Sequence, residues 1–319
     1  MHQVVAVFAP IFVIALLGYI AGRTNFLGET AAPLLSRFVF FIAMPPLFFS
    51  SLMKCSADEV GNRAYLTAYA LAVVCTGAIY VAVSRRVFGD RGARLYLGLF
   101  TTANGNAGYL GLPLCLYAFG DMLPAIMASI IHMIFIYPGL LALIELDLAR
   151  QRGEAPQSNL RRVLMPFAVG LKNPLVLGTV LGLAGALLGL RLPEWAERTC
   201  TLLGQGAIPL AVFALGLTLA EKNPEPGADD PAEIGFSVVL TLVVMPLFAW
   251  LFGALIFHLD HRMLGALVFV AALPSPKNSF ILAHRYGLGI HRAAMTVFGS
   301  TLLSALSLPV ILYLFREAL

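Results

Sequence analysis

The feature that most constrains this chain is a series of ten apolar stretches, at roughly 3–22, 33–53, 64–84, 94–119, 123–146, 167–190, 199–220, 235–257, 262–284 and 292–315. Each is about as long as the ~20 residues a helix needs to cross a bilayer. Nearly every charged residue falls between them. Charged residues make up only 12% of the chain, about half the usual share in soluble domains, so lipid must cover most of the surface. The first stretch begins almost at Met1, has no basic leader and is long enough to span, so it reads as a retained helix. The fold class expected is an all-α membrane protein with ten transmembrane helices. The net charge of +4 and the lack of a basic stripe give no case for a nucleic-acid partner. Cys55, Cys75, Cys115 and Cys200 form no CxxC pair and read as small hydrophobes. No metal or cofactor is expected.

The longest polar connection runs from Asp147 to Arg162 and divides the chain into similar halves: 1–146, a linker 147–166, and 167–319. A second polar segment, 221–233, reads as a surface loop. Lys and Arg counts set the orientation. With the N-terminus outside, 14 basic residues fall on the inner side and 6 on the outer, with Lys277 set aside as intramembrane. Both termini are therefore expected on the periplasmic side of a bacterial inner membrane and 147–162 in the cytoplasm. Five helices per half is an odd number, so the second half enters inverted. The halves share features in order. FIAMPPLFFSSLM in the second stretch and GQGAIPLAVFALGL in the seventh each hold a mid-membrane proline, Pro45 and Pro209. Inverted repeats mark secondary transporters.

The fourth and ninth stretches are interrupted at matching places. One carries Asn104, Asn106, Gly108, Tyr109, Gly111 and Pro113; the other carries Pro274, Pro276, Lys277, Asn278 and Ser279. Proline removes a backbone donor, and glycine and asparagine weaken a helix. Unwound backbone is tolerated at membrane depth only inside protein or beside a watery cavity. Two such breaks in corresponding positions point to a transport site; packing kinks are the plainer alternative. Lys277 is the one charge placed near mid-membrane, where a charge needs a cavity or a partner. Beside half-helix N-termini it makes a positive site suited to a carboxylate. Its alternative is a structural lysine bonded to backbone. Asn104, Asn106 and Asn278 can bind a carboxylate or cap the crossing backbone. Tyr109 and Ser279 are candidates for the cavity wall, and Gln205 for reaching it from the seventh stretch. His132 reads as a proton relay or a core histidine.

No Walker sequence, HExxH or nucleophile elbow is present, so an enzyme is not expected. A retinal-type photoreceptor using Lys277 is a rival of another class, opposed by ten helices and two breaks. Within the same class, a sodium- or proton-coupled symporter of a larger amphipathic acid is the alternative, and it would be expected to show intramembrane acids.

GYLGLP in the fourth stretch, LKNPLVLG opening the sixth, AIPLAVFALG in the seventh and AALP with Asn278 and FILAHRYG in the ninth resemble the auxin efflux carrier family. Its bacterial members include proteins assigned as malonate and malate permeases, and its plant members are auxin carriers. The resemblance spans nearly the whole chain. It implies the fold of bile-acid symporters and sodium–proton antiporters, a scaffold of helices 1, 2, 6 and 7, and a mobile transport domain of helices 3–5 and 8–10. It also implies elevator-type alternating access, a small organic anion as substrate, and a homodimer. Pro113 would match the crossover proline, and Asn104 or Asn106 the asparagine that meets the carboxylate. Plant members have proline where Ser279 stands.

Overall fold

The computed structural model describes residues 2–28, 30–54, 62–153, 159–220 and 230–315, and every regular element among them is helical. In chain order these are α1 (His2–Arg23), α2 (Ala31–Met53), α3 (Arg63–Phe88), α4 (Gly92–Thr102), α5 (Leu112–Phe119), α6 (Leu123–Gln151), α7 (Asn159–Leu171), α8 (Pro174–Leu187), α9 (Glu194–Ala220), α10 (Pro231–Ile256), α11 (His261–Ala271), α12 (Asn278–Tyr286) and α13 (Ile290–Leu314). Among the described residues six helices, α2, α3, α6, α9, α10 and α13, are long and apolar enough to span. The α7–α8 pair, bent by 62°, makes a seventh candidate. The fourth and ninth stretches are each divided into two short helices. Cys55 and most of the 221–233 segment lie outside the described residues.

Polar residues at the mouths start the helices. Asn62 accepts from the Tyr65 amide at 3.0 Å and Asp260 from the Met263 amide at 3.0 Å. Such caps satisfy donors that have no partner inside the helix. Asp230 caps Ala232 at 2.8 Å, and Pro231 stands in the first turn, where its missing N–H costs nothing. This start corrects the sequence reading at one end of the acidic segment: Glu233 is not in a surface loop but in α10, and it is buried. The polar connection after Asp147 is also shorter than expected, because α6 continues to Gln151 and α7 begins at Asn159.

Proline is accommodated by a recurring device. Wide π-helical turns occupy Val39–Ala43, Ala107–Gly111, His132–Ile136 and Leu240–Val244. Each ends two residues before a proline: Pro45, Pro113, Pro138 or Pro246. The ring would clash with the carbonyl four residues back, and one extra residue in the turn relieves the clash.

Close backbone contact joins α1 to α9 and α2 to α8. A Cβ on Gly216 would stand 2.0 Å from the Ala15 carbonyl oxygen, and one on Gly178 2.6 Å from that of Pro45. With no hydrophobic drive between helices in lipid, approach through small residues supplies the packing. Pro45 therefore lies in the α2–α8 seam.

The two breaks meet. Residues 103–106 separate α4 from the turn that leads into α5, and 272–277 separate α11 from α12. The Asn106 amide donates to the Pro274 carbonyl at 2.8 Å. Gly105 packs on Val270 and Leu273, and a Cβ on Gly111 would stand 2.7 Å from a Leu273 methyl. Other freed groups go to neighbouring helices: the Thr241 hydroxyl of α10 donates to the Thr102 carbonyl at 2.8 Å, and the Ser275 amide donates to Ser300 Oγ of α13 at 3.1 Å. These three peptide groups, released from helical bonding, thus find protein partners, as a membrane interior requires.

Candidate functional site

A cavity of about 600 Å³ lies between one end of α2 and the two breaks. From α2 come Ser36, Arg37 and Phe40; from the breaks come Tyr109, Lys277 and Asn278. Lys277 is only 5% exposed, with its charged end at the cavity wall. Its ammonium donates to the Ser36 hydroxyl and stands 4.7 Å from the centre of the Tyr109 ring, within cation–π range. Tyr109 stacks on Phe40 at 6.1 Å, and its hydroxyl approaches the Ser36 carbonyl at 3.5 Å. Ser36 and Phe40 are four apart on α2 and so share the face turned to the breaks.

A second, much smaller space of about 20 Å³ adjoins the first, with Phe40, Tyr109 and Asn278 common to both. Asn106, Ser129, His132 and Tyr137 are among its other lining residues. Its volume admits one water. The Asn106 side-chain nitrogen and Ser129 Oγ have no hydrogen-bond partner among the described residues. Asn106 does cap its own turn, accepting from the Tyr109 amide at 3.3 Å. His132 is buried, bonded through Nε2 to the Tyr69 hydroxyl at 3.0 Å and stacked on Tyr137 at 6.1 Å.

The candidates from sequence are therefore distributed as follows. Tyr109, Lys277 and Asn278 line the large cavity, Asn106 and Gly108 the small one, and Pro276 lies against the small one. Asn104 is fully buried and lines neither space, and its side-chain nitrogen and oxygen have no hydrogen-bond partner among the described residues. Ser279 is buried behind the lining. Pro113 opens α5, and Gly111 and Pro274 form the contact between the breaks. Gln205 is elsewhere: with Lys54 and Ser50 it lines a separate cleft of about 190 Å³ at the opposite end of α2. Pro209 is exposed on α9.

Sequence reasoning missed the α2 contribution. Ser36 and Arg37 stand near the start of a helix, where polar residues are ordinary. It also missed a buried ion network. Arg292 of α13 donates to both Asp90 and Glu233, and donates to the Arg94 carbonyl at 2.8 Å. Arg94 bonds Asp90 at 2.7 Å, and Ser84 donates to Asp90 at 3.1 Å. The network ties α4, α10 and α13 to the turn after α3. Burial alone would raise the Asp90 carboxyl, but Arg292, the bond shared with Glu233, and Arg94 outweigh it and hold it below the ordinary carboxylate range.

A multi-helix membrane protein with a cation-bearing cavity at the junction of two broken helices belongs to the solute-carrier class. The comparison with known families agrees: the chain belongs to the membrane transport protein family, whose sequence model matches residues 3–312. The auxin efflux carrier resemblance is thereby borne out, and the protein is a membrane transporter rather than an enzyme. A Rhizobium meliloti (strain 1021) protein, provisionally named a malonate transporter, is 27% identical over 99% of this chain and 97% of its own length. An uncharacterized transporter of Escherichia coli (strain K12) is 28% identical over 96% of both chains. Another, from Methanothermobacter thermautotrophicus, is 28% identical over 94% of both.

Proposed function

We propose that this transporter carries a small carboxylate by alternating access around the two abutting breaks. The observation that carries this reading is the Lys277 ammonium at the wall of a 600 Å³ cavity, with Asn278 beside it and Arg37 opposite on α2. An ammonium and an amide are the groups a carboxylate needs, one for charge and one for orientation. The malonate name of the Rhizobium relative favours the same chemistry. In this reading ten helices form two inverted repeats in the inner membrane, with both termini periplasmic and the protein a homodimer. Helices 1, 2, 6 and 7 (α1, α2, α7–α8 and α9) form the scaffold, and the glycine-mediated α1–α9 and α2–α8 seams support it. The other helices form the moving body, which slides as an elevator. Asn106 orients the substrate from the small pocket.

Binding of malonate to the detergent-purified protein tests the reading by calorimetry. Lys277→Gln keeps a donor and removes the charge. It should weaken binding by roughly 1–3 kcal/mol, the worth of a hydrogen bond to a charged group, with little change in melting temperature. Lys277→Arg should rescue only in part, because a planar fork needs a differently shaped wall. Unchanged affinity in the Gln variant would remove Lys277 from the site. A collapse of the melting temperature would make it a fold element.

A further inference from the structure

The same lysine also fastens the two bodies together, and this carries a consequence for how the transporter runs. We infer that the protein is an exchanger: it returns across the membrane readily with a carboxylate bound and only slowly when empty. The inference rests on the transport reading above.

Lys277 belongs to the ninth stretch, in the body proposed to move, whereas its partner Ser36 lies in α2, in the body proposed to stay. The bond spans 241 positions of sequence. It does not act alone. Tyr109, from the other break, stacks on Phe40 one turn along α2 and directs its hydroxyl at the Ser36 carbonyl. The ammonium lies over the same tyrosine ring at 4.7 Å. Lys277 and Tyr109 thus dock together on the Ser36–Phe40 face, and the seam closes with a cation of the cavity wall as its fastener.

That arrangement makes substrate binding and seam opening compete for one group. A carboxylate entering the cavity bonds the ammonium and draws it from Ser36. In the loaded state the seam has lost its charge-assisted bond, and the moving body slides over α2 against the neutral contacts of Tyr109 with Phe40 and Ser36. In the empty state every crossing must first break the Lys277–Ser36 bond with no substrate carboxylate to take its place. A charge-assisted hydrogen bond broken on one path and not on the other slows the empty crossing about tenfold or more. Transport that depends on the empty return is then slow, whereas one anion swapped for another is fast.

The test uses the full-length protein in proteoliposomes, with radiolabelled malonate outside and the membrane potential clamped. Vesicles hold either unlabelled malonate or an osmotically matched sulfate buffer. The expected result is uptake about tenfold or more faster into malonate-loaded vesicles. Ser36→Ala removes the hydroxyl and leaves the helix intact, so the ratio of the two rates, measured within that one variant, should fall to within about threefold. Equal rates into both loadings of the unaltered protein would overturn the exchange while leaving the transport reading in place. So would a ratio undiminished in Ser36→Ala. No uptake under either loading would overturn the transport reading for this acid, and the exchange with it.

Discussion

Asp90, Glu233 and Arg292 show how far the meaning of one residue depends on what surrounds it. In sequence each stands beside an apolar stretch and looks like a solvated end. In the fold all three are buried, at 4%, 1% and 2% exposure, and Arg292 donates to both carboxylates. Removing one partner of such a buried group typically costs 3–5 kcal/mol, because the remaining charge is left without compensation. Arg292→Met is therefore expected to lower the melting temperature sharply, and Asp90→Asn less so, since Ser84 and Arg94 still find an oxygen. The sign of the pH effect follows from Asp90. A carboxyl lowered in the folded state stabilises fully above its unfolded pKa of ~3.9 and loses that contribution as pH falls through the lowered value. The gap in melting temperature between unaltered protein and Asp90→Asn should be constant near neutrality and shrink below about pH 4. A gap that stays constant down to pH 3 would show that Asp90 is not held in that way. No local pattern in the sequence pairs these three residues, because the partners come from three separate connections.

At the scale of elements, the breaks were legible because proline, glycine and asparagine act on the backbone locally. The expected interruptions at 104–113 and 274–279 match observed gaps at 103–106 and 272–277 to within two residues at their starts. The wide turns before Pro45, Pro113, Pro138 and Pro246 were not legible, since the sequence marks the proline and not the extra residue that relieves it. The cavity was half legible. Lys277, Asn278 and Tyr109 were named from the breaks, but Ser36 and Phe40 join them only through the packing of α2. The glycine seams offer a test at this scale. Gly216→Leu puts a side chain where the Ala15 carbonyl stands, whereas a Cβ on Gly206 of the same helix meets nothing within 4 Å. Gly216→Leu should destabilise by ~1–3 kcal/mol, as overpacking does. Gly206→Ala should be neutral or mildly stabilising, because alanine is the better helix former. Thermal unfolding in detergent reads both; equal behaviour of the two variants would mean that α1 and α9 do not meet through Gly216.

For the whole molecule, two clefts lie at opposite ends of α2, one with Ser36 and Arg37, the other with Lys54 and Gln205. In the proposed topology the first faces the cytoplasm and the second the periplasm, as the basic-residue bias predicts. With the native cysteines replaced, a cysteine at Lys54 should react with an impermeant thiol reagent in intact spheroplasts, and one at Gln157 only after lysis. The reverse pattern would invert the topology. Thr241 donates to the Thr102 carbonyl only because the chain leaves the helix after that residue. A lineage that restored a continuous helix through 103–106 would occupy that carbonyl, and position 241 could then drift to valine at little cost. A lineage that keeps the break cannot make that change without leaving a peptide oxygen stranded in hydrocarbon. The two positions, 139 residues apart, should therefore change together or not at all, and an alignment of descendants would show it.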